Sequence, residues 1–158
     1  MQNKKLDGAH MIVRRATLND LTPLAVLFDE YRQVYGEASN ISLAEQFLKQ
    51  RFENAETVIF VHVHNEKLTG FVILYRGFSS IRCRIYYILD DVYVTPISRR
   101  QGAARQLIDT ATLFAEHEGA AKIRVETPKN AAQAHQLYES MGFCFDDSER
   151  AYQRLLNH

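Results

Sequence analysis

The sequence predicts an α/β fold of the α+β type. It should be a single domain on a mixed, mostly antiparallel central sheet of about six to seven strands, flanked on both faces by about four helices. Three observations carry this. The apolar spacing switches between period 2 and helical period in the order strand, two helices, three strands, helix, strand, helix, terminal strands. Two β-rich runs flank Asn65–Lys67 so closely that only an antiparallel hairpin can join them. With 158 residues, 46% of them apolar and 24% charged, the chain has material for one substantial core and too little for two.

The elements follow in order. "HMIVRRAT" reads as a first strand. It leads into "LNDLTPLAVLFDEYRQVYG", where Leu21, Leu24, Ala25, Phe28 and Tyr31 share a helix face. Asn19 or Asp20 can cap that helix, Pro23 is tolerated in its first turn and Gly36 stops it. In "ISLAEQFLKQRFEN", Ser42 and Glu45 have capping-box spacing ahead of Phe47, Leu48 and Phe52. The hairpin is followed by "IRCRIYYILDDVYVTP", a third run dense in Ile, Tyr and Val that ends at Pro96. A helix is expected from Gln101 to about Glu118, stopped by Gly119. "AKIRVET" is a strand, a last helix runs from about Asn130 to Ser140, and "FCFDDSERAYQRLLN" should supply one or two terminal strands. Residues 1–10 read as a flexible tail and 11–158 as the domain.

Composition narrows the function. Nineteen Lys plus Arg balance nineteen Asp plus Glu, which disfavours a nucleic-acid partner. No apolar run approaches the roughly 20 residues of a membrane span. The N-terminal "MQNKKLDGAH" lacks a signal core, and the two cysteines, Cys83 and Cys144, lack metal-ligand spacing. A reduced, cytoplasmic setting is the expectation. His62 and His64 fall on one face of a strand without a third ligand, which reads as a solvated face and not a metal site.

The informative stretch is "RRQGAARQL", Arg99–Leu107, which opens a helix just after an apolar strand. A helix N-terminus offers unpaired N–H groups and a partial positive charge, and Gly102, Ala103 and Ala104 keep side chains out of an anion's way. Arg105 and Gln106 stand where a P-loop needs Lys and Ser or Thr, and the single glycine falls short of a dinucleotide fingerprint.

"VYVTPISRRQGAARQLI" resembles the diphosphate-binding motif of the GNAT superfamily of acetyl-CoA-dependent N-acetyltransferases, Gln/Arg-x-x-Gly-x-Gly/Ala, matched by Arg99, Gly102 and Ala104. "NAAQAHQLYESMGF" is similar to the family's second cofactor segment, with Asn130, Tyr138 and Gly142-Phe143 in register. The chain departs from many members at Arg100, where they carry glycine, and at Ala104, often glycine. Arg100 therefore bears on any backbone angle there that glycine alone adopts comfortably. "LDDVYVTP" with "LYESMGF" looks most like the branch that includes yeast-type histone and polyamine acetyltransferases.

The resemblance implies acetyl-CoA as co-substrate, no metal, and direct attack by a primary amine in a ternary complex. The amine would belong to a small molecule or to a peptide or protein. Val92 and Val94 would meet the pantetheine arm through backbone atoms. Arg99, Arg100, Gln101, Gly102, Ala103 and Ala104 would hold the diphosphate, the arginines adding charge-assisted hydrogen bonds. Tyr138 is the candidate acid for the departing thiolate, or else packs its ring on a helix face. Asn130 binds the pantetheine or caps the last helix.

Alternation sends Asp90 and Asp91 to opposite faces of the strand. One of them is the candidate amine binder or base through water, the alternative being a strand-end hydrogen-bond network. Tyr31, Tyr35, Phe78 and Ser79 are candidate walls of the acceptor site, with Tyr31 in the core and Tyr35 on the surface as the other reading. Neither cysteine shows the partners of a covalent nucleophile. A non-catalytic acyl-CoA-binding module is the alternative function, and exposed terminal strands would allow a homodimer.

Overall fold

The switches of apolar period become a five-stranded sheet and four α-helices in the computed structural model, which describes residues 11–148 and 150–156. The tail assigned to residues 1–10 lies outside the described residues. In chain order the elements are β1 (Met11–Arg15), α1 (Leu21–Val34), α2 (Ile41–Glu53), β2 (Thr57–His64), β3 (Lys67–Ser79), β4 (Arg84–Val94), α3 (Ala103–His117), β5 (Ile123–Val125) and α4 (Ala132–Ser140). Packing divides the chain after Glu126 into two units. The first holds the whole sheet with α1–α3, the second holds α4.

The sheet order is β1-β2-β3-β4-β5, antiparallel through β4 and parallel between β4 and β5. Residues alternate across it as period 2 requires. Ile59, Val61, Phe71 and Ile73 face α1 and α2, where they meet Leu24, Phe28, Ala44 and Leu48. On the other face Phe60 and Tyr87 each hold Phe114 of α3 edge-on, with ring centroids 5.6 and 5.4 Å apart.

The β2–β3 turn is Asn65-Glu66, both at positive φ (48° and 63°), the backbone twist a two-residue hairpin favours.

Several local expectations are corrected. Asn40, not Ser42, caps α2, its side chain accepting the Leu43 N–H at 3.0 Å, while Glu45 accepts from Thr22 Oγ1 instead. Asp20 stands at the N-cap of α1, one of the two positions expected, but its side chain accepts from Arg14 and from the Thr17 N–H instead of from the helix. Among the described residues no strand follows β5, so five strands stand where about six to seven were expected. In the "FCFDDSER" segment Asp146 takes the Ser148 N–H at 3.0 Å, a local bond that competes with a ladder. The stated route to a homodimer loses its strands with them.

Candidate active site

The site grows from one irregularity in β4. Ile73 pairs with Asp91 and Leu74 with Leu89, so Asp90 is an extra residue with no partner on β3, a β-bulge. The bulge reverses the alternation of every residue after it. Tyr87 and Leu89 are odd-numbered and face α3, yet Tyr93, also odd, lies in the α1/α2 core. Counted from Ile88 opposite Tyr75, Asp90 falls on the α1/α2 side; counted from Tyr93, so does Asp91. The expectation of opposite faces therefore fails, because period 2 cannot register an inserted residue.

The same phase change re-aims the backbone. Before the bulge, Tyr87 N–H and Ile85 C=O bond toward the β5 side, to Lys122 and Ala121. After it, Thr95 N–H bonds toward β3, to Thr69, so the even-numbered Val92 and Val94 turn their N–H and C=O groups to the β5 side. Pairing with β5 ends at Leu89–Val125. Beyond that point β4 continues with an edge that no strand takes up among the described residues.

On the α1/α2 side, Asp91 accepts a hydrogen bond from the Tyr31 hydroxyl. Burial, and to a lesser degree the charge of Asp90, pushes the Asp91 carboxyl up to about 6, against the opposing effect of the Tyr31 bond. The Asp90 carboxyl is raised too, by burial and then by Glu126. Tyr75 lies close enough to both carboxylates that burial, then their charges, hold its hydroxyl up at about 12. Tyr31 packs edge-on against Tyr35 (5.0 Å), and Tyr35 is largely exposed. Tyr93 donates to Glu30 of α1 at 2.9 Å.

The strand's open edge runs into the Arg99–Ala104 loop. A 3₁₀ turn, Pro96–Ser98, leads to Arg100 at φ 60° and Gly102 at φ 85°, and α3 starts at Ala103. Gln106 N–H to Gly102 C=O is the first helical bond (3.0 Å), which leaves the N–H groups of Ala103, Ala104 and Arg105 outside the helix ladder. A Cβ at Gly102 would meet only Gln106 Nε2, at 3.9 Å, so the space above the loop is open. Gln101 donates its side-chain N–H to Ile97 C=O at 3.1 Å. Arg99 donates Nε–H to Val94 C=O at 3.0 Å and lies 5.9 Å from the Tyr93 ring centroid.

The predicted residues are thus partly gathered. Tyr31, Tyr35, Asp90 and Asp91 come together on one side of β4, and Val92, Val94 and Arg99–Ala104 form one continuous edge and loop. Phe78 and Ser79 pair with Ile85 and Arg84 near the far end of the β3–β4 hairpin. They sit five or more residues from Ile73, about 17 Å along an extended strand, so the long hairpin carries them away from Asp91. In the second unit, Tyr138 on α4 is half-buried with its ring 5.4 Å from Phe143, and the N-cap is Ala131, so the exposed Asn130 does not cap the helix.

His62 is corrected: it is buried, not solvated, with Nδ1 2.7 Å from Thr69 Oγ1, and burial lowers its pKa. Sequence reasoning missed Tyr75, Tyr93 and Glu30. The doubled aspartate in an apolar strand was the available signal for them, since two adjacent acids there make a bulge worth testing.

A bulged strand with an open edge, delivering into the N-terminus of a helix, lies here at the centre of an acetyltransferase fold. Residues 24–143 match the Acetyltransferase (GNAT) family, and the chain belongs to it. It is 38% identical over 133 residues to the uncharacterized N-acetyltransferase YhfO of Bacillus subtilis strain 168, covering 84% of this chain and 89% of that protein. A probable acetyltransferase of Haemophilus influenzae is 30% identical over 135 residues, 85% of this chain and 90% of the other. The crystal structure of a probable acetyltransferase superposes with a TM-score of 0.88 at 35% identity, covering 93% of this chain and 99% of that one. No helix among the described residues is long and apolar enough to cross a membrane.

Proposed function

We propose that the protein transfers the acetyl group of acetyl-CoA to a primary amine by direct attack within a ternary complex. The observation that carries this is the open β4 edge after Leu89, which runs without interruption into the left-handed loop and the N-terminus of α3. Val92 and Val94 offer amide groups to the amides of a pantetheine arm, and the Arg99–Ala104 backbone takes the diphosphate. Arg100, exposed at the loop's turn, adds a charge-assisted bond. The co-substrate supplies an activated thioester and a thiolate leaving group.

Asp91 takes a proton from the substrate ammonium, directly or through water, and the free amine then attacks the thioester carbonyl as the C–S bond breaks. A carboxyl held near 6 is a better base near neutrality than an ordinary aspartate. Asp90 adds negative charge on the same side, which favours a cationic acceptor. Tyr31 orients Asp91, and Tyr35 lines the approach. Tyr138 returns a proton to the thiolate, and Asn130 hydrogen-bonds the pantetheine. The resemblance of "LDDVYVTP" and "LYESMGF" to yeast-type histone and polyamine enzymes agrees with a cationic alkylamine, free or on a protein.

The test is thermal unfolding with and without excess acetyl-CoA, with ATP as control, followed by a screen of amines for released thiol. A ligand at about 100 times its dissociation constant adds roughly 2.7 kcal/mol. An upward shift with acetyl-CoA alone and turnover on an amine support the proposal. A shift without turnover points to a non-catalytic acyl-CoA-binding module, and no shift removes the reading.

A further inference from the structure

The side chain of Arg99 is engaged with the strand that leads into the loop. Its Nε–H is given to Val94 C=O at 3.0 Å, and its guanidinium carbon stands 5.9 Å from the centroid of Tyr93, within cation–π range. Tyr93 in turn is buried and donates to Glu30 of α1 at 2.9 Å. The three side chains form a chain of contacts from the first residue of the loop, across the end of β4, to the helix that carries Tyr31.

Resting on the acetyl-CoA reading above, we propose that Arg99 is a positioning residue. Its guanidinium fixes the last residues of β4 and the start of the loop, and the diphosphate is left to the backbone and to Arg100. The geometry has two consequences. With Val94 C=O occupied by Arg99, the open edge presents Val92 N–H and C=O together with Val94 N–H to the pantetheine. Arg99 also keeps Tyr93 against Glu30, so the loop and α1 hold a common position.

A planar guanidinium does this and an ammonium does not, because Nε–H and the flat face act at once. A phosphate contact, by contrast, tolerates lysine as a point charge. Salt separates the roles in the same way, since an exposed contact to a diphosphate is screened and a fixed backbone geometry is not.

The experiment measures the dissociation constant of acetyl-CoA for the whole protein across a salt series, at a temperature below every variant's melting transition. The variants are Arg99→Gln, Arg99→Lys and Arg100→Gln. Loss of one charge-assisted hydrogen bond predicts about tenfold weaker binding for Arg99→Gln. That loss should be of equal size at all salt concentrations and should not be rescued in Arg99→Lys. Arg100→Gln should instead lose affinity at low salt and converge with the parent as salt rises. Recovery of parent affinity by Arg99→Lys, convergence of Arg99→Gln with the parent at high salt, or unchanged affinity in Arg99→Gln would each overturn the proposal. If the parent itself fails to bind acetyl-CoA, it is the cofactor reading that falls.

Discussion

The Tyr31 hydroxyl donates to the Asp91 carboxylate, joining the C-terminal part of α1 to the residue just past the β4 bulge. Asp91 gains one hydrogen bond and loses most of its water. Burial outweighs the bond, and the carboxyl rises to about 6. The balance between these two effects makes Asp91 testable as a base.

If Asp91 acts as a base, kcat/KM rises with pH through about 6, as the carboxylate form replaces the acid. Asp91→Asn should lower turnover by about two to four orders of magnitude and abolish that limb. A pH–rate profile of both proteins checks it.

The same group makes a claim on stability. A folded-state pKa above the unfolded value of 3.8 means the folded chain holds the proton more tightly, so Asp91 favours folding at low pH and loses that contribution as pH rises through about 6. Asp91→Asn should therefore melt above the parent at pH 7.5, with the gap closing below about pH 4. Thermal melts at the two pH values decide it.

Tyr31→Phe removes the bond that favours the charged form of Asp91 and leaves the burial. The acid limb of the pH–rate profile should move to higher pH than in the parent. A shift to lower pH would show that Tyr31 does not hold the carboxylate.

Arg100 occupies a φ of 60°, where a side chain is strained and glycine is not. Arg100→Gly should stabilise the protein by about 1 kcal/mol in urea unfolding, less whatever entropy glycine adds to the unfolded chain. It should also weaken acetyl-CoA binding at low salt, since the guanidinium goes with the strain.

Asp29 is buried beneath the turn between α1 and α2 and accepts from Ser39 Oγ (2.6 Å), Asn40 N–H (2.8 Å) and Arg32 (2.8 Å). The Ser39 bond first, then Asn40, hold its carboxyl below the ordinary range. Its contribution is thus present above the ordinary aspartate value and lost as pH falls through the lowered one. Asp29→Ala should melt well below the parent at neutral pH, and that difference should narrow in acid.

Much of the architecture could be read from residue order. Helical spacing at Leu24, Phe28 and Tyr31 and at Leu107, Ile108 and Ala111, β-rich runs around Asn65, and glycine stops at Gly36 and Gly119 are local patterns, and local patterns set local structure. The "RRQGAARQL" loop was legible for the same reason, since a helix start and its small residues are contiguous in sequence.

What lay beyond the sequence depends on register between strands or on contact between distant elements. The Asp90 bulge is defined only by how β4 lies against β3, and it alone decides that Asp91 faces Tyr31 and that Val92 and Val94 face the open edge. The burial that raises Asp91 and the Arg99–Tyr93–Glu30 contacts arise where α1 and the loop meet the sheet, and the hidden His62 arises where β2 pairs with β3 on the face away from α1. Spacing along the chain carries no record of a partner brought close by folding. Sequence by itself determined the order of elements and the glycine-containing loop that opens α3; tertiary structure decided which side each acid faces, because one unpaired residue inverts a period-2 pattern from that point on.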